Sequence, residues 1–190
     1  ATGEQDLPAM VLQAGDIDVP GLAQGRAAFV TIDTMASANE FWMGVPAAES
    51  AATMRDDGFQ MRYALDLERP VDAAGAAPAA GDLPLGLRIT TSVTSYDTAE
   101  GAAASFQTFE RDLEDQSGLE DLPVDQIGDE TDLTLYTSEA TDTGAPYQSL
   151  NLTFRLGNLI ADAQIVDFSN QMPETAQIVE IGETLKARIE

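Results

Sequence analysis

Tyr147-Gln148-Ser149-Leu150-Asn151-Leu152-Thr153-Phe154-Arg155-Leu156-Gly157-Asn158-Leu159-Ile160-Ala161-Asp162-Ala163-Gln164-Ile165-Val166-Asp167 decides the fold of this chain. Leu150, Leu152, Phe154 and Leu156 fall on one side of an extended chain and Asn151, Thr153 and Arg155 on the other, the period of two of a half-buried strand. Gly157-Asn158 takes positive φ at little cost and favours a tight turn. Beyond it, Leu159, Ala161, Ala163 and Ile165 alternate with Ile160, Asp162, Gln164 and Val166, so the stretch reads as a long-armed antiparallel hairpin.

Towards the C-terminus, Pro173 suits the first turn of a helix and Glu174 lies near the positive end of its dipole. Ile178, Ile181, Leu185 and Ile189 then recur at spacings of three and four, and Lys186 and Arg188 complement the far end. This helix is expected to lie across the hairpin and bury its stripe there.

Towards the N-terminus, Phe59, Met61, Tyr63, Leu65 and Leu67 alternate with Gln60, Arg62, Ala64, Asp66 and Glu68, and Leu85 to Tyr96 supplies a partner strand. The intervening segment 69–84 is rich in Ala, Gly and Pro with nothing to bury, which predicts a mobile surface loop. A helix is predicted from Pro46 to about Asp57 and another after Thr98, where Ala102, Phe106, Phe109 and Leu113 keep one face. Short strands are expected at 27–33 and 133–138. Residues 1–26, punctuated by Pro8, Gly15, Pro20, Gly21 and Gly25, read as an irregular arm that Met10, Val11, Leu12 and Ile17 could pin to the body.

The order β-α-β-β-α-β-β-β-α places helices between hairpins. That implies an α+β fold with about three helices on a largely antiparallel sheet, one face of which is the more polar. Residues 27–190 form one domain in this reading, consistent with the 190-residue length.

Thirty-three acidic residues against nine basic ones leave a net charge of -24. Such a field repels nucleic acid and anionic membrane surfaces, so neither is expected as a partner. No run approaches a membrane span, so the domain itself is not expected to insert. The chain contains no Cys and no His, which removes disulfides, thiolate sites, the Ser-His-Asp triad and the common zinc sites. No nucleophile-base pairing can be named, so the only catalytic reading left is a hydrolase acting through paired carboxylates.

Two groups stand out as candidate sites. Phe41 and Trp42, beside the strand residue Tyr63, would line a pocket between the sheet and the segment 39–45. Arg62 and Arg155, cations on polar strand faces of a very acidic chain, would either anchor an anionic ligand or form cross-strand salt bridges. Separately, Asp125, Asp129, Glu130 and Asp132 form an oxygen-rich, turn-containing run of the sort that can chelate Ca²⁺, although no known calcium-loop spacing is matched. No other cofactor is implied.

Gly128-Asp129-Glu130, Phe154-Arg155-Leu156-Gly157-Asn158 with the strand after it, the helix after Tyr96-Asp97 (Glu100-Gly101-Ala102, then Phe106 and Phe109-Glu110) and the closing Ala187-Arg188-Ile189 together resemble secreted or lipid-anchored bacterial domains. The element order is similar to the PsbP/Mog1-like α/β/α sandwich. That resemblance implies an extracytoplasmic binding or interaction module whose partner is a protein or a small ligand, with a lipid anchor upstream. A structural or assembly domain without a small ligand ranks second, and the carboxylate hydrolase third. A start at Ala1-Thr2-Gly3 is what removal of a signal or anchor segment, or trimming of a longer chain, would leave.

Overall fold

The alternation across Tyr147–Asp167 forms the hairpin it predicts. Strands β6 (Tyr147–Leu156) and β7 (Leu159–Asp167) pair antiparallel, with Leu156 opposite Leu159 across the Gly157-Asn158 turn. Gly157 takes a φ of 58° there, the left-handed backbone that a two-residue hairpin turn needs.

The computed structural model describes residues 6–70, 85–114, 118–138, 147–167 and 174–190. The Ala-rich segment, apart from Arg69 and Pro70, and Pro173 lie outside the described residues. Five further strands extend the hairpin: β1 (Ala23–Val30), β2 (Phe59–Pro70), β3 (Leu85–Tyr96), β4 (Leu119–Asp121) and β5 (Glu130–Ser138). The seven form one sheet in the order β1-β2-β3-β7-β6-β5-β4, and every neighbouring pair is antiparallel. The architecture is α+β, as the pattern of elements indicated.

One face of the sheet carries the main core. Leu65, Leu67, Ile89, Val93, Leu150, Leu152, Phe154 and Ile165 are fully buried on it. The helix α5 (Thr175–Ile189) lies over β6 and β7 and inserts Ile178, Ile181 and Leu185. Its close approach depends on Gly182, where a Cβ would come within 2.2 Å of the Leu152 side chain.

Beside α5 lies the segment before β1, with the short helix α1 (Leu7–Met10) and a 3-10 turn at Ala14–Asp16. Leu7, Val11 and Leu12 are buried in the same core. Leu12 donates its N–H to Thr91 Oγ1 at 3.3 Å, and Arg188 donates to the Ala9 carbonyl at 2.8 Å. The first strand begins at Ala23, inside the stretch 1–26 expected to be irregular.

The other face is covered by α2 (Ile32–Met43), α3 (Ala47–Asp56) and α4 (Ala99–Glu114). Ala36, Ala51, Met54, Phe59, Tyr96, Ala102, Phe106 and Ile160 make a second, smaller apolar cluster beneath them. Two readings are corrected on this side. The segment 32–43 is a helix: the Thr31 side chain accepts from the Thr34 N–H at its start, and Gly44 closes it at a φ of 70°. Phe59 does not share a face with Met61, because a register shift between them adds one residue to β2 and reverses the alternation.

Candidate functional site

The second face of the sheet is covered by helices and yet largely polar. Sheet pairing sets its residues in rows. Ala64, Ser92, Asp162 and Thr153 stand side by side on β2, β3, β7 and β6, and the neighbouring row is Asp66, Thr90, Gln164, Asn151 and Thr134. A covered face would ordinarily bury apolar side chains against its roof. Here α3 and α4 seal against Ile160, Phe59 and Tyr96 at one end. Over the polar rows they leave a cleft of about 660 Å³.

Asp162 sits at its centre. Ser92 donates to Asp162 Oδ2 at 2.8 Å, Thr153 donates to Oδ1 at 3.1 Å, and the Arg62 guanidinium reaches Oδ2 at 3.4 Å. Thr90 donates to Asp66 at 2.7 Å and Gln164 to Asn151 at 2.7 Å. The wall is more apolar: Met54 and Thr53 come from α3, Phe106, Thr108 and Phe109 from α4, and Tyr136 and Tyr147 close the far end with ring centroids 6.2 Å apart. Short Ser, Thr and Asn side chains leave depth between floor and roof that Leu or Ile would fill.

Tyr96, 6% exposed at the sealed end, shares a 2.8 Å hydrogen bond with Ser105. Burial, reinforced by the Asp162 charge and offset by the Ser105 hydrogen bond, pushes its hydroxyl up to about 12. The fold therefore holds the Tyr96 proton more tightly than the unfolded chain does. This contribution is complete below pH 10 and is lost between pH 10 and 12, a change of roughly 2–3 kcal/mol. Urea titrations across that interval should show wild-type stability falling more steeply than that of Tyr96→Phe, which lacks the group; parallel curves would refute the assignment. At the rim, burial and the neighbouring Asp56 raise the Asp57 carboxyl.

The sequence-derived candidates separate. Arg62 lies in the cleft, ion-paired to Asp162. Tyr63 belongs to the opposite face, edge-on to Phe29 at 4.9 Å, because alternation along β2 puts it there. Phe41 is 76% exposed on α2 and does not line the cleft. Trp42 lies in the last turn of α2, and its side chain is outside the described part. The segment 39–45 does border the cleft, but through Asn39, whose amide donates to Ser50 Oγ at 2.9 Å, and Val45.

Arg155 stands apart at the hairpin end, only 14% of its side chain exposed, and makes the cross-strand salt bridge with Glu130 that its strand position predicts. It also meets Asp129 Oδ2 at 3.1 Å and donates to the Gly157 carbonyl at 3.0 Å. Asp129 Oδ2 accepts from the Gly157 N–H at 2.8 Å as well. The cluster clamps the start of β5 to the β6-β7 turn.

The oxygen-rich run does not converge. Asp129 and Glu130 turn to Arg155, Asp125 is exposed, and Asp132 lies on β5 opposite Thr153, its carboxyl raised by burial and by Asp121. Among the described residues no three acidic side chains are placed to hold a metal ion.

The residues missed in the sequence are Thr94, Thr134, Ser149, Asn151, Asp162, Tyr136 and Phe106. The available signal was a polar period-two set on β3, β6 and β7 combined with amphipathic helices that had to pack somewhere.

No family model matches this chain, and no curated protein matches it in sequence. Among solved structures, the extracellular domain of PknH from Mycobacterium tuberculosis superposes with a TM-score of 0.63 at 13% identity, covering 96% of this chain and 94% of that one. The two share a fold over essentially their whole lengths.

Proposed function

We propose that the chain is an extracytoplasmic bacterial binding module that holds a small ligand in the cleft between the sheet and α3–α4. The observation that carries this reading is the polar sheet face kept under a helical roof, with a volume of about 660 Å³ inside the range of ordinary ligand pockets. Arg62 is its one contribution from the candidates named in the sequence; Arg155, Phe41, Tyr63 and the Asp125–Asp132 acids take no part in this binding. The fold shared with an extracellular domain supports the address. A PsbP/Mog1-like relationship and a lipid anchor upstream belong to the same proposal.

The test is a thermal-shift screen of chemically mixed fragments against the wild type and Thr108→Trp, which fills the cleft from the α4 wall. A ligand at 100 times its Kd stabilises by about 2.7 kcal/mol. Stabilisation of the wild type alone is expected, whereas equal shifts in both proteins, or none, would reject the cleft. Fractionation of source cells tests the address, and confinement of the domain to the cytoplasmic fraction would reject it.

A further inference from the structure

Resting on that reading, we infer that the cleft takes a neutral, polyhydroxylated ligand, a short saccharide. Around the charges of Asp162, Arg62 and Arg88, its floor is a lattice of small uncharged hydrogen-bonding groups at strand spacing, among them Thr94, Thr134, Ser149 and Asn151. A hydroxyl donates once and accepts twice, and an amide does both. Such a lattice meets a ligand whose own groups are hydroxyls repeated along a ring edge.

Charge separates this class from the alternatives. The central carboxylate of Asp162 already receives Ser92, Thr153 and Arg62, so Arg62 is neutralised in return. Glu49, Asp57 and Arg88 line the same space, so three carboxylates meet two guanidinium groups there, in a chain of net charge -24. The surrounding field therefore disfavours an anionic ligand. An apolar ligand would bury the floor without partners, at a cost for each unpaired group. A saccharide also presents C–H faces, and the walls supply Phe106, Ile160 and the Tyr136 ring for them. The cleft has room for more than one sugar ring.

The experiment is an NMR titration of the ¹⁵N-labelled protein with maltotriose, cellotriose and chitotriose, alongside glucuronate as an anionic probe and hexanol as an apolar one. At least one neutral trisaccharide should move the Thr94, Asn151 and Asp162 amides saturably while glucuronate and hexanol do not. Asn151→Leu and Thr94→Val should each weaken that binding roughly tenfold, with their unbound spectra showing an intact fold. Two variants on different strands keep the test usable if one misfolds. Saturable cleft shifts from glucuronate or hexanol, without any from the trisaccharides, would overturn the saccharide assignment and leave the cleft standing as a ligand site. Silence from all five probes would overturn both.

Discussion

Phe154→Ala should destabilise the whole domain by about 3–5 kcal/mol, the usual cost of emptying a buried aromatic site. Phe154 is fully buried on the hairpin face beneath α5, among β-strand neighbours that cannot close over a cavity. Adjacent strands pair with β6 on both sides, so the loss is felt across the sheet. At roughly 2–4 °C per kcal/mol for a chain of this size, the melting temperature drops by about 10 °C. Calorimetry should show one cooperative transition displaced downwards; a shift within 2 °C or so would mean that the hairpin is not the hub of the core.

Phe106→Ala removes an equally buried aromatic with a different outcome. Phe106 belongs to the small cluster that fastens α4 to the second face, with Ala102, Tyr96 and Ile160 around it. The same transfer and cavity terms of about 3–5 kcal/mol apply, but among the described residues α4 enters that cluster only through Phe106 and the small Ala102, beside a largely polar sheet floor. Hydrogen exchange should therefore show amides of α4 losing protection while β6 and β7 retain theirs, a sub-global opening of the roof. Equal loss in both regions would show that the two apolar clusters unfold as one unit.

The contrast between these two variants reflects which parts of the fold can be read from sequence. The hairpin, β2, β3 and α5 have one largely apolar face, and a period of two or of 3.6 exposes that directly, from Leu150–Leu156 to Ile178–Ile189. The helix α2 escaped because its apolar residues include Ala36 and Ala38 among Ser37 and Asn39, a stripe too weak to stand out, and because Phe41 and Trp42 invite reading as a cluster. The reversal at Phe59 depends on a register shift that only strand pairing reveals.

The cleft was the least legible feature. Phe41, Trp42 and Tyr63 stand out in the sequence as aromatics, and aromatic identity does not say which face a side chain occupies. Alternation along β2 sends Arg62 and Tyr63 to opposite sides of the sheet, so only one of that adjacent pair reaches the cleft. Arg155 and the acids Asp129 and Glu130 are adjacent through β5-β6 pairing, and they satisfy one another. Most residues that form the floor are Ser, Thr and Asn around Asp162, which a sequence presents merely as the solvent side of a strand. It takes the position of α3 and α4 above them to show that this side is enclosed.

That enclosure has a thermodynamic consequence. Thr94 and Thr134 are 3% and 2% exposed and line the cleft, and no hydrogen bond joins either hydroxyl to another side chain among the described residues. If the floor is kept polar for a ligand, the free domain forgoes apolar burial there, and function is held at a cost in stability. Val matches Thr in shape and in strand preference. The melting temperature of the Thr94→Val/Thr134→Val double variant without ligand is the direct measurement. A rise of about 2–4 °C over the wild type, roughly 1 kcal/mol, is predicted. A melting temperature below the wild type would mean that these hydroxyls hold the sheet together and that the polar face is structural.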